Sequence, residues 1–249
     1  MALSAVADAS SPAAGGGGPA VPYQFKDEPY SSHRTILDLA GEGRGRRLLD
    51  VGASDGFLAE RLTRQGWRVT ALERDAGLAA VARRRCEEVV VADLHEGVPP
   101  LSGPFDVIVC GDVLEHLAEP ERALEGLARH LAADGAVIVS VPNVAHLWVR
   151  LMLLLGRFDY ADRGILDRTH LRFFTLKTFR ACLARCGIRV ERLIPVPAPL
   201  SPFMAGRAPG GWLQAVQAIH ARGARGWPGG LAFQFVVEGR RLAPAGARA

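Results

Sequence analysis

The 249-residue sequence predicts an α/β fold built on a parallel, doubly wound sheet. Three observations carry that reading. Between Arg46 and Val141, short Val/Ile/Leu-rich runs alternate with helical patterns. The runs are apolar throughout and do not alternate with polar residues, so both faces of the sheet are covered. A glycine-bearing loop, Gly52 to Gly56, joins the first run directly to a helical pattern. In such sheets ligands sit at the carboxyl ends of the strands.

The elements follow in order. "RRLLDV" (46–51) reads as the first strand, and a helix follows from Phe57 to Gln65, closed by Gly66. "WRVTAL" (67–72) is the second strand, with a helix from Asp75 to Cys86 behind it. "EVVVA" (88–92) is the third strand. The turn-rich "HEGVPPLSGP" leads to the fourth, "FDVIVC" (105–110). Pro120 opens a helix that runs to Leu131, ahead of Gly135. "AVIVSV" (136–141) is the fifth strand, ended by Pro142. Thr175 caps a helix over 176–186 that stops at Gly187. "IRVERLI" (188–194) and "LAFQFVVEG" (231–239) are two further strands. The expected domain plan is a disordered leader over 1–22, one domain over 23–240 and a flexible tail over 241–249. Within the domain, 195–230 is an insertion or lid carrying the amphipathic "GWLQAVQAIHARG".

Composition excludes several classes. Hydrophobic residues make up 49% and charged residues 22%, with a net charge of +4, a balance that suits one domain with ample core. No dense Lys/Arg stripe is interleaved with aromatics, so a nucleic-acid partner is not indicated. Cys86, Cys110, Cys182 and Cys186 form no CxxC pair. Cys182 and Cys186 share one helix face and read as packing. Reduced thiols and a cytoplasmic protein are expected. The first twenty residues contain no Lys or Arg and lack the charged start and apolar run of a signal peptide. "LWVRLMLLLG" is interrupted by Arg150 and is too short for a membrane span.

The loop after the first strand reads Asp50-Val51-Gly52-Ala53-Ser54-Asp55-Gly56. It is not a P-loop, since no G-K-[ST] follows, and it is not G-x-G-x-x-G. Glycines let backbone N–H groups approach a ligand, and the helix N-terminus favours a negative group. A carboxylate at Asp50 repels a pyrophosphate and suits an amino group. Glu73, ending the second strand, suits ribose hydroxyls. The ligand is thus a nucleoside with a zwitterionic tail and no phosphates, a description that S-adenosylmethionine fits. The plainer alternative is that Asp50 and Asp93 cap turns and Glu73 pairs with Arg74 or solvent.

With these residues the chain resembles the class I S-adenosylmethionine-dependent methyltransferases over about residues 30–194. The family's first motif is acidic-x-Gly-x-Gly-x-Gly, with Ser54 here in place of the middle glycine. Glu73 in "VTALERD" matches the ribose-binding acid, and Asp93 in "VVVADL" matches the acid near the adenine amino group. "FDVIVCGDVLEHL" resembles the fourth motif, whose strand end passes beside the cofactor. The resemblance implies a Rossmann-like, seven-stranded sheet, mostly parallel with an antiparallel last strand, the role that "FQFVVEG" fits. It implies S-adenosyl-L-methionine as cofactor, with Gly52, Ser54 and Gly56 admitting the methionine part and Asp50 receiving its ammonium. It implies Asp93 and Leu94 framing the adenine, and Cys110 and Gly111 lining the floor near the methyl. "SVPNVAHLWVRLMLLLGRFDYADRGILDRTHLRFFT" is similar to a bacterial subgroup acting on cell-surface glycans and small molecules, which points to an oxygen or nitrogen acceptor on a sugar or metabolite.

A hydroxyl acceptor must lose its proton, and a positioned His or carboxylate takes it. His116 follows the fourth strand, His146 the fifth, and His170 lies in "DRTHLRFF". All three are candidate general bases, and each can instead cap or pack a turn. Asp112, Glu115, His116 and His170 can be drawn around a metal on paper, but no metal is expected, because acids and His after strand four are common without one. The helix in "AHLWVRLMLLLGRF" reads as buried. Its sharper reading, together with Trp212, is peripheral contact with a membrane if the acceptor is lipid-linked. The competing classes are an NAD-dependent oxidoreductase, which needs the absent G-x-G-x-x-G, and a non-catalytic S-adenosylmethionine-binding module.

Overall fold

A computed structural model describes residue 25, residues 27–199 and residues 211–242, with only the backbone of 211–214. The expected leader, the tail beyond 242 and part of the insertion lie outside the described residues, as does the side chain of Trp212.

The described residues form seven strands in one sheet of order β3-β2-β1-β4-β5-β7-β6. β1 (Arg47–Val51), β2 (Arg68–Glu73), β3 (Glu88–Val91), β4 (Phe105–Gly111) and β5 (Leu131–Pro142) run parallel. β7 (Gln234–Arg241) is antiparallel to both β5 and β6 (Ile188–Val196). The order reverses at β1, where strands lead outward to β2 on one side and to β4 on the other. That opens a crevice at their carboxyl ends.

Helices cover both faces of the central strands, and strand residues alternate between two cores. Val107 and Val109 join Leu48, Val69 and Val236 against α1 (Ser32–Ala40) and α2 (Phe57–Arg64). Ile108 and Cys110 join Leu49, Val51, Phe235 and Val237 against α4 (Pro120–Ala128) and α6 (Leu176–Arg185). The period of two survives in a sequence that shows no polar alternation, because each face has its own helices to meet. α6 begins with a capping box in which Thr175 and Thr178 satisfy each other's backbone N–H groups.

Several expected boundaries shift. α3 covers Ala76–Ala82 and stops short of Cys86. Arg84 and Arg85 close the last turn on Val81 and Ala82, and the Arg85 guanidinium reaches across to Asp55 at 2.9 Å. The helix from Pro120 ends at Ala128, because the His130 carbonyl is already taken by Phe105 N–H and Leu131 starts a longer β5. β7 begins at Gln234, after α7 (Gly211–Gly226) and the single turn α8 (Pro228–Leu231).

The helix expected to be buried is not. α5 (Leu147–Leu154) covers only Val149 fully, and Leu151, Leu153, Leu154 and Leu155 face solvent, Leu154 at 82% exposure. Its apolar residues outnumber the positions on one face, so the surplus has nothing to cover it. Val149 packs with Ile165, Leu166, Trp148, Phe158, Phe173 and Phe233 in a small satellite core beneath the segment that follows α5.

Candidate functional site

The loop after β1 turns back on β2. The N–H groups of Gly52 and Ala53 both bond Leu72 O, at 2.8 and 3.1 Å. Gly52 and Gly56 have φ of +67° and +83°, and neither has room for a side chain. A Cβ at Gly52 lies 2.7 Å from Val113 Cγ2, and one at Gly56 lies 3.0 Å from Ala82 Cα. The loop is therefore clamped between the turn after β4 and α3. Ser54 takes a left-handed φ of +53°, a conformation that disfavours a side chain. Its N–H donates to Glu73 Oε2 at 2.7 Å, which holds it there.

Asp50 is 2% exposed, and its Oδ2 finds no hydrogen-bond donor among the described residues. Burial first, and then the negative Glu73, push its carboxyl up to about 7. Glu73 is also buried. Besides Ser54, it accepts Asp75 N–H through Oε1 at 2.9 Å. Each of its oxygens keeps a second lone pair for a hydroxyl. Among the described residues it forms no ion pair with Arg74, one of the two partners, with solvent, that the plainer alternative gave it. An orphaned buried carboxylate, a second carboxylate beside it and a side-chain-free loop accept an ammonium and a ribose and repel a pyrophosphate. The residues present thus fit S-adenosylmethionine.

Asp93 behaves as a turn cap. It accepts His95 N–H at 2.9 Å and meets the His95 ring at 2.8 Å, and these bonds hold its carboxyl below the usual range. Leu94 is half-buried against the α4–α6 core. Cys110 is fully buried, and burial followed by the Asp50 and Glu115 charges pushes its thiol up to about 12. It is a packing element of the floor, with no thiolate character. At Gly111, a Cβ presses on Ile36 Cδ1 of α1 at 3.3 Å.

Beyond β4 the chain enters a tight turn. Asp112 has φ of +57°. Its N–H bonds Ser140 Oγ at 3.0 Å, and its Oδ1 accepts from Ser140 Oγ at 2.5 Å and from Gln234 Nε2. Sequence reasoning missed Ser140 and Gln234. Their signal is a polar side chain inside an otherwise apolar strand, Ser in "AVIVSV" and Gln in "LAFQFVV".

A 3-10 turn over Leu114–His116 carries Glu115 and His116. The segment after α5 is tied onto it: Leu171 and Arg172 N–H donate to Glu115 O at 2.8 and 2.9 Å, and Arg172 Nε reaches Ala118 O at 2.9 Å. His170 is thereby brought to His116, with ring centroids 4.8 Å apart. One nitrogen of each ring and one carboxylate oxygen of Glu115 lie within 4.8 Å of one another. Asp112 does not join them. His146 lies outside the group as well. It is the N-cap of α5, its Nδ1 accepting Trp148 N–H at 3.2 Å, and burial holds its ring below the ordinary histidine range.

Comparison with known proteins identifies relatives of this chain. The family model described as "Methyltransferase domain" matches residues 26–193. The "Ubiquinone biosynthesis O-methyltransferase" of Cronobacter sakazakii is 32% identical over 142 residues, 54% of this chain and 57% of that protein. The protein of the same name from Xylella fastidiosa is 31% identical over 170 residues, 65% of this chain and 66% of that one. The chain thus spans 57% and 66% of the length of these two curated relatives. Among solved structures, a "possible histamine N-methyltransferase" from Thermotoga maritima has a TM-score of 0.58 at 18% identity, covering 83% of this chain and 86% of that one. A TehB-like S-adenosylmethionine-dependent methyltransferase from Corynebacterium glutamicum has a TM-score of 0.51 at 21% identity, covering 84% and 86%. At these identities the two structures speak for the fold alone.

Proposed function

We propose that this chain, which belongs to the S-adenosylmethionine-dependent methyltransferases of class I, methylates a hydroxyl oxygen of a small-molecule acceptor. The observation that carries the reading is the buried, unpartnered Asp50 oxygen beside the left-handed Gly52–Gly56 loop and Glu73. Asp50 takes the methionine ammonium, and Glu73 takes the ribose hydroxyls while it holds Ser54 in place. Asp93 and Leu94 flank the adenine, and Cys110 and Gly111 close the floor. Bound S-adenosylmethionine supplies a sulfonium methyl: an acceptor O–C bond forms as the C–S bond breaks, and the electron pair leaves with sulfur. The protein's part is proximity, alignment and exclusion of water.

The acceptor's proton is lost at the cluster of Glu115, His116 and His170. Its two histidines, with ring centroids 4.8 Å apart, support that role, and His146 is engaged as the cap of α5. The O-methyltransferase relatives support an oxygen acceptor on a small molecule. The exposed leucines of α5, flanked by Arg150 and Arg157, support peripheral contact with a lipid surface where the acceptor is lipid-linked.

Calorimetric titration tests the cofactor half. S-adenosylmethionine and S-adenosylhomocysteine bind, NAD does not, and Glu73→Ala abolishes binding. Tight NAD binding, or none of the adenosyl ligands, overturns the reading. Labelled-methyl transfer to a panel of hydroxylated acceptors tests the rest. His170→Ala retains cofactor affinity and loses turnover by at least about a hundredfold, the scale of a lost proton-transfer group.

A further inference from the structure

The Glu115–His116–His170 group has a feature that proton transfer alone does not need. His116 Nδ1 lies 3.3 Å from the Thr169 carbonyl, and His170 Nδ1 lies 3.1 Å from the Ile165 carbonyl. A carbonyl oxygen only accepts, so both rings carry their proton on Nδ1 and leave Nε2 as a lone-pair donor. This is the outer-sphere arrangement that fixes metal-ligating histidines, with the tautomer and ring plane set by a bond on the far nitrogen. The third member is a carboxylate only 1% exposed. Thr169 is itself held, its N–H and Oγ donating to Asp167 Oδ1 at 2.8 and 2.7 Å. The Thr169 carbonyl is therefore fixed before any ion arrives.

We infer that Glu115, His116 and His170 form a binding site for one divalent transition-metal cation of the zinc class. Two imidazoles and one carboxylate are the donor set of three-ligand zinc sites that keep one position open. Ligand atoms on a tetrahedral ion, each about 2.0–2.1 Å from it, lie about 3.3 Å apart. The donors within 4.8 Å of one another close onto the ion by small side-chain rotations. The open position takes the acceptor hydroxyl, whose proton is acidified and passes to solvent. The two histidines of the proton-removing cluster then act on the acceptor through the ion, as its ligands. This role in transfer rests on the methyltransferase reading above, whereas ion binding does not.

The test uses the full chain, stripped of metal by dialysis against a chelator and titrated with Co2+ under visible absorption. The expected result is one equivalent of cobalt with ligand-field bands of nitrogen–oxygen coordination and no thiolate charge-transfer band. His170→Gln and Glu115→Gln each weaken it by at least about tenfold. Because Glu115 is buried, its variant is read only if its melting temperature stays near the parent's. The more accessible His116→Gln and His170→Gln carry the test otherwise. Absence of binding up to millimolar cobalt overturns the inference, as does binding that is indifferent to both histidine variants or shows a thiolate band. The same stripped protein is titrated with S-adenosylmethionine. Failure of that titration strikes the methyltransferase reading and leaves the cobalt result standing.

Discussion

At the scale of single residues, Asp50 links binding to pH. Its folded carboxyl sits at about 7, far above the usual 3.8, because burial and Glu73 disfavour the charge. A raised acid favours the folded state when protonated, so its contribution to the free chain's stability falls as pH rises from about 4 to 7. Binding has the opposite slope. An ammonium needs the carboxylate, so below pH 7 the cofactor must first displace a proton. Affinity for S-adenosylmethionine is expected to fall about tenfold per unit from pH 7 to 5, and Asp50→Asn is expected to flatten that slope. Calorimetry at several pH values checks both. Ser54 offers a second prediction. Ser54→Gly removes the left-handed penalty and retains the N–H bond to Glu73, so stability is expected to rise by up to about 1 kcal/mol in denaturant melts with cofactor affinity unchanged. His146→Ala removes a helix cap, costs about 1 kcal/mol, and leaves turnover intact. These residues divide by how local their signals are. Asp50, Glu73 and the glycines were legible because each sits at a strand end that the apolar runs already mark. Asp93 also sits there, but its bonds to His95 depend on loop geometry that no spacing reveals.

At the scale of elements, α5 and the segment after it show where sequence periodicity stops. The strand runs were legible because a β-strand covered on both faces has only one composition. An apolar helix does not say which of its sides is covered. Leu151, Leu154 and Leu155 are exposed because the satellite core of Val149, Ile165 and Phe173 needs only one side. Leu154→Ser with Leu155→Ser is expected to leave the melting temperature unchanged and to cut co-sedimentation with anionic vesicles by at least about tenfold, since each buried leucine contributes about 1.5–3 kcal/mol. The meeting of His116 and His170 was beyond spacing altogether. It depends on Leu171 and Arg172 binding the Glu115 carbonyl, a contact made across more than fifty residues of chain.

At the scale of the whole molecule, the crevice is assembled from elements far apart in sequence: the β1 loop, the end of β2, the turn after β4 and the segment after α5. A ligand that bridges them stabilises the entire domain. S-adenosylmethionine at about a hundred times its Kd contributes about 2.7 kcal/mol. For a chain of this size that is expected to raise the melting temperature by about 5–10 °C in a thermal-shift assay, with NAD giving no change. Gln234 belongs to the same assembly. It lies on β7, between β5 and β6, and reaches Asp112 beside the site. During synthesis, residues 234–241 leave the ribosome after every element they pair with. Until then β5 and β6 each present an open edge, and Asp112 lacks its amide partner. A nascent chain is therefore committed to wait, with its most aggregation-prone edges bare, and a ribosome stalled a few codons before Gln234 releases a product that is both sticky and inactive.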